Sequence, residues 1–174
     1  RCLPSDLTPT YYACSEGPWL SAIDKERRPR ANAMRARFYA HLRPLNPLQD
    51  PYAEGWHWIR RDPLDMSQGD FSGLDGADGL PRDGVANGRS VVFDVCVQMA
   101  AYMGFTSIYL LGCDGTRMGH CYEEDDPEDK VRYAMMHTPA ENALRVLAEH
   151  GRALVDLTEG GTLPLPKDSL ARVL

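Results

Sequence analysis

Residues 90–112 constrain the fold more than any other stretch of the chain. Residues 90–103 (SVVFDVCVQMAAYM) are apolar on almost every side, which predicts a helix buried over most of its circumference. Asp94 and Gln98, four apart, form its single polar edge. Ser90, after Asn87-Gly88, stands as its N-cap, and Gly104 stands where a terminating glycine is expected. The run Ser107-Ile108-Tyr109-Leu110-Leu111-Gly112 follows at once. It is unbroken, apolar and of strand length, the pattern of a central parallel strand.

The rest of the chain extends this alternation. Thr10-Tyr11-Tyr12-Ala13-Cys14 reads as a strand closed by Gly17-Pro18. Residues 31–42 are rich in Ala, Met and Arg, with Met34, Phe38 and Leu42 at helical spacing, and predict a helix ended by Pro44. Residues 52–61, carrying Trp56, Trp58 and Ile59, predict a strand. Residues 140–150 predict an amphipathic helix with Ala143, Leu144, Val146 and Leu147 inward and Gly151 as its stop. A strand over 153–157, a Gly160-Gly161 turn and a short helix over 167–174 complete the pattern. Helix and strand alternating through short connections predict an α/β fold, specifically a Rossmann-like, doubly wound, mostly parallel sheet with helices on both faces. A length of 174 residues fits one domain spanning 1–174. Residues 62–87, dominated by Asp and Gly, interrupt the alternation and predict one long loop of the kind that serves as a lid or insertion.

Composition narrows the class of partner. Nineteen Lys and Arg stand against 25 Asp and Glu, a net charge of −6, which disfavours binding to a nucleic-acid backbone. The one basic run, 25–37, reads as the solvated face of a helix. Cys2, Cys14, Cys96, Cys113 and Cys121 contain no CxxC pair, so neither a zinc ribbon nor a disulfide framework is indicated. Cys96 and Cys113 lie in apolar runs and read as small core residues. A reducing, cytoplasmic setting is expected, without a transmembrane segment or a signal peptide. The chain opens on Arg1 in structured-looking sequence, so a cut from something longer is expected.

Ligands of open α/β sheets sit beyond the carboxyl ends of the strands, and three places qualify. The first is Asn87-Gly88-Arg89-Ser90, where free N–H groups entering a helix suit a phosphate or carboxylate. A plain capped helix fits these residues equally well. The second is Gly112-Cys113-Asp114-Gly115, whose carboxylate can meet a ribose hydroxyl, hold a hydrated metal or cap the next turn. The third is 119–126 with His137 farther on, where His120 or His137 offers a general base. Tyr122 and Tyr133 offer hydroxyl donors to a leaving phosphate, or half-buried packing. The acidic run 123–126 reads as a solvated loop before it reads as a metal site, and no resident metal is assigned. His41, His57 and His150 fall away from the strand termini. No GxSxG, HExxH or phosphate-binding glycine motif occurs.

From Gly88-Arg89-Ser90-Val91 through Met103-Gly104-Phe105-Thr106-Ser107-Ile108-Tyr109-Leu110-Leu111-Gly112-Cys113-Asp114, the chain resembles the 6-hydroxymethylpterin pyrophosphokinase-like proteins. That group includes motility-associated and surface-glycan glycosyltransferases of bacteria and is similar to their CMP-sialic-acid-dependent sialyltransferases. Thr10-Tyr11-Tyr12 resembles the group's P-x-Y-Y strand, Gly119-His120-x-Tyr122 its G-x-H-F-Y stretch, and residues 155–163 its closing strand and turn. The group's G-x-G/N-P-S nucleotide loop is absent, and Thr106 replaces its usual Lys. The resemblance implies a glycosyltransferase using a nucleotide-sugar donor, a CMP-sugar foremost, and a glycan-like acceptor. Asn87, Gly88, Ser90, Gly112 and Asp114 would then face the nucleotide. His120 or His137 would be the base, with Tyr122 assisting the departing phosphate. Two alternatives stay open: Mg²⁺-dependent diphosphate transfer from ATP to a pterin-like alcohol, and a non-catalytic nucleotide-binding domain.

Overall fold

The computed structural model describes residues 10–14, 36–41, 56–65, 85–87, 90–113, 115 and 135–173. Four strands, β1 (Tyr11–Cys14), β2 (Ala36–His41), β3 (Trp56–Asp65) and β4 (Val85–Asn87), form a sheet in that order, and every pairing is parallel. Next comes a helix, α1, which opens with a π-helical turn at Val92–Cys96 and continues as α-helix over Val97–Tyr102. Strand β5 (Ser107–Leu110) and strand β6 (Ala153–Asp156) pair in parallel as a second sheet, with helix α2 (His137–Glu149) between them in the chain. A last turn of helix, α3 (Leu170–Val173), follows. Parallel strands separated by helices make the described chain α/β.

Helix α1 is apolar on several sides because it serves two cores. Val91, Val95 and Met99, four apart, pack on one residue from each strand of the first sheet: Ala13, Phe38, Ile59 and Val85. Phe93, Val97 and Ala101, on an adjacent stripe, enter the main core with Ile108, Leu110 and Leu154 of the second sheet. Ala140, Ala143, Val146 and Leu147 of α2 complete that core together with Leu163 and Leu165. Asp94 and Gln98 are not a solvent edge, since each is 1% exposed. The Asp94 carboxylate pairs with Arg61 of β3 at 3.1 Å. The Gln98 amide donates to the Phe93 and Asp94 carbonyls at 2.7 and 3.1 Å, inside the widened turn. Buried polar groups need such partners.

Both helix termini behave as the sequence predicts. Ser90 Oγ accepts the Phe93 N–H at 3.4 Å, an N-cap contact. At the other end Gly104 has φ of +88°. The Gly104 and Phe105 N–H groups donate to the Ala101 and Ala100 carbonyls, which closes α1 in the Schellman pattern.

Four expectations require correction. Residues 36–41 are strand, not helix: β2 is paired on both sides, by Tyr11–Cys14 and by residues 56–60, and Phe38 fills the apolar layer under α1. The pairing and burial outweigh helix propensities of under about 1 kcal/mol per residue. The loop expected over 62–87 is strand at both ends, since β3 runs to Asp65 and β4 begins at Val85. The β3–β4 register shifts between Arg61 and Asp65, around Pro63, which has no N–H to give a ladder. Strand β5 is buried on one face only. Ile108 and Leu110 point into the core, whereas Tyr109 is 46% and Leu111 63% exposed; among the described residues no helix covers that second face. Finally, Cys96 is exposed and Cys113 half-buried.

Candidate functional site

The carboxyl ends of β5 and β6 lie side by side, because the Leu157 N–H donates to the Leu110 carbonyl at 2.8 Å beyond the strands' last pair. Each strand continues into a loop, and a hydrogen bond ties the loops together: the Cys113 N–H donates to Thr158 Oγ1 at 3.0 Å. Thr158 is itself fixed, because its N–H donates to Asp156 Oδ1 at 2.8 Å. The other carboxylate oxygen of Asp156 takes the Lys167 ammonium. Burial raises the Asp156 pKa, but the bonds from Lys167 and Thr158 and the Lys167 charge outweigh it and leave the pKa below the ordinary value. A charged carboxylate is therefore locked beneath the loops, and it anchors the segment beyond β6, where residues 156 and 167 bridge in parallel.

Gly115 brings the first loop against the second. Its φ is +69°, and a Cβ at this position would stand 3.0 Å from Leu163 Cδ2 and 3.4 Å from Thr162 Oγ1. A side chain would meet both a strained backbone and a neighbour with no room. Thr162, on the far side of this contact, brings its hydroxyl to 3.5 Å from His137 Nε2. His137 is the first residue of α2 and is half-buried. The first turn of a helix carries unsatisfied N–H groups and a partial positive charge. Two strand-end loops, one imidazole and one helix start thus meet at a single place.

Of the residues expected to be functional, His137 belongs to this cluster, whereas Gly112 lies in the loop that follows β5, with open space where a Cβ would stand. Ser90 and Asn87 stand elsewhere, where β4 runs into α1, and among the described residues no hydrogen bond links them to His137. The Ser90 hydroxyl is half-buried and occupied as the α1 cap. His120, Tyr122, Gly88 and Asp114 lie outside the described residues, as do Tyr133 and the acidic run 123–126. No group of three His, Cys, Asp or Glu side chains gathers at one point among the described residues.

Thr158, Thr162 and the Asp156–Lys167 pair were not singled out from sequence. A turn signal, Gly160-Gly161, does stand between the two threonines, and their closeness to a strand end was available. The pairing of Asp156 with a lysine eleven residues away has no local signal. No helix among the described residues is long and apolar enough to cross a membrane. Neither a protein-family model nor any curated protein matches the chain.

Proposed function

We propose that this protein is a nucleotide-dependent transferase of Rossmann-like architecture, a glycosyltransferase that takes a sugar from a nucleotide donor, with His137 as its general base. The observation that carries the reading is the position of His137. It stands on the first turn of a helix beside Thr162 of the segment that follows β6, and Gly115 of the loop after β5 packs against that same threonine. Strand carboxyl ends are where α/β folds bind ligands. N–H groups at a helix start suit a phosphate.

In this mechanism an acceptor hydroxyl gives its proton to His137 as its oxygen forms a bond to the sugar's anomeric carbon. The bond from that carbon to the nucleotide phosphate breaks, and the nucleotide departs with the electron pair. The N–H groups of His137 and Thr138 at the start of α2 take up the charge that develops on the departing phosphate. Gly112 faces the nucleotide in this reading.

Release of free nucleotide from CMP-, UDP- and GDP-sugars, with water as acceptor, tests it. His137→Ala should slow release at least about 100-fold, the lower range for loss of a general base. Release unchanged in His137→Ala and lost in His120→Ala would transfer the role to His120. ATP consumption abolished by EDTA would favour diphosphate transfer instead.

A further inference from the structure

Helix α1 opens in a wider turn than an α-helix makes. The Val97 N–H donates to the Val92 carbonyl, five residues back, where an α-helix would give it to Phe93. The Phe93 carbonyl is met instead by a side chain: Gln98 Nε2 donates to it at 2.7 Å and to the Asp94 carbonyl at 3.1 Å. We propose that the start of α1 is a two-register element, in which the Gln98 amide selects the π-helical register and its removal lets the turn rewind as α-helix.

Phe93 and Gln98 are both buried, so bulk water does not stand in for the amide, and a buried carbonyl left without a donor is costly. The π register therefore holds only while Gln98 supplies that donor. Two facing carbonyls also fix which half of the amide fits, since an amide oxygen in that place would meet acceptors alone. The turn is clasped from its outer side as well, because it carries Asp94, the partner of Arg61 on β3. Rewinding would rotate the residues before the turn by about 100° relative to Val97–Tyr102 and shift them by about 1.5 Å along the axis. Those residues are Ser90, the cap of α1, and Val91, which packs on the first sheet. The register thus sets how the start of α1 meets the carboxyl ends of β3 and β4. π-Helical turns within α-helices frequently mark functional sites, and a ligand that binds at this junction in one register only would shift the balance between the two. The inference is independent of the reading of His137.

Scalar couplings across hydrogen bonds, measured by NMR on the isotope-labelled full chain, read the register directly, since the Val97 amide correlates with the carbonyl carbon that accepts it. In the wild type that carbon should be Val92. In Gln98→Met, which keeps the bulk and removes the donor, the Val97 amide should lose its correlation with Val92 and gain one with Phe93. Retention of the Val92 correlation in Gln98→Met would overturn the proposal. Should the methionine variant not fold, Gln98→Leu is read in the same way. With either variant, a wild-type Val97 amide correlated with Phe93 would overturn the proposal by itself.

Discussion

At the scale of single residues, Asp156 has the greatest leverage on the candidate site. Its buried carboxylate fixes Thr158, and Thr158 fixes the Cys113 backbone. Because the folded-state pKa lies below the ordinary value of 3.8, the charged form is the one stabilised by folding. That contribution is complete above the unfolded pKa and drains away as the pH falls through the lower, folded value. Urea unfolding should therefore find Asp156→Asn less stable than wild type at pH 7, with the gap closing only as the pH drops below about 4. A gap that closes near pH 6 would mean that some other group is responsible.

At the scale of elements, α1 decides how the chain is held together, since its stripes join the core of each sheet. The Arg61–Asp94 pair fastens β3 to the first turn of that helix. Arg61→Met removes one partner of a buried carboxylate and should lower stability in urea unfolding by more than about 1 kcal/mol, and adding Asp94→Leu should recover much of that loss. An additive, larger loss in the double variant would show that the pair is not the coupling. Helix α1, helix α2 and strands β1, β5 and β6 were legible in the sequence because their periodicity and caps point the same way. Strand β2 was misread for a physical reason. Met34, Phe38 and Leu42 are spaced by four, and a spacing of four lies on one face of a helix and equally on one face of a strand. Only the partners on both sides, distant in sequence, distinguish the two. The buried pairing of Asp94 escaped notice for the same reason, as its partner stands 33 residues earlier. Of the cluster at the ends of β5 and β6, His137 was legible from its place before a helix. The threonines that link the loops were not, because one hydroxyl in a turn carries no signal of what it will face.

At the scale of the whole molecule, parallel strands give the chain a functional direction. Parallel pairing requires crossover connections, and these leave the loops of β5 and β6 together at the strands' carboxyl ends. There Thr162 stands between His137 and Gly115, and Cys113 is tied through Thr158 to the ion-paired Asp156 carboxylate. The opposite face of the second sheet carries Tyr109 toward solvent. A ligand seated at the strand ends would touch both loops and α2 at once, so its binding should stabilise the native state as a unit. The most direct test is the melting temperature of the full chain with CMP, CDP, UDP, GDP and ATP, each with and without Mg²⁺. A nucleotide at 100 times its Kd adds about 2.7 kcal/mol, a rise of about 5–10 °C for a chain of this size. A rise of that order with CMP, independent of Mg²⁺, is the result predicted for a nucleotide-sugar transferase. Melting unmoved by every nucleotide at millimolar concentration would contradict a nucleotide site at these strand ends.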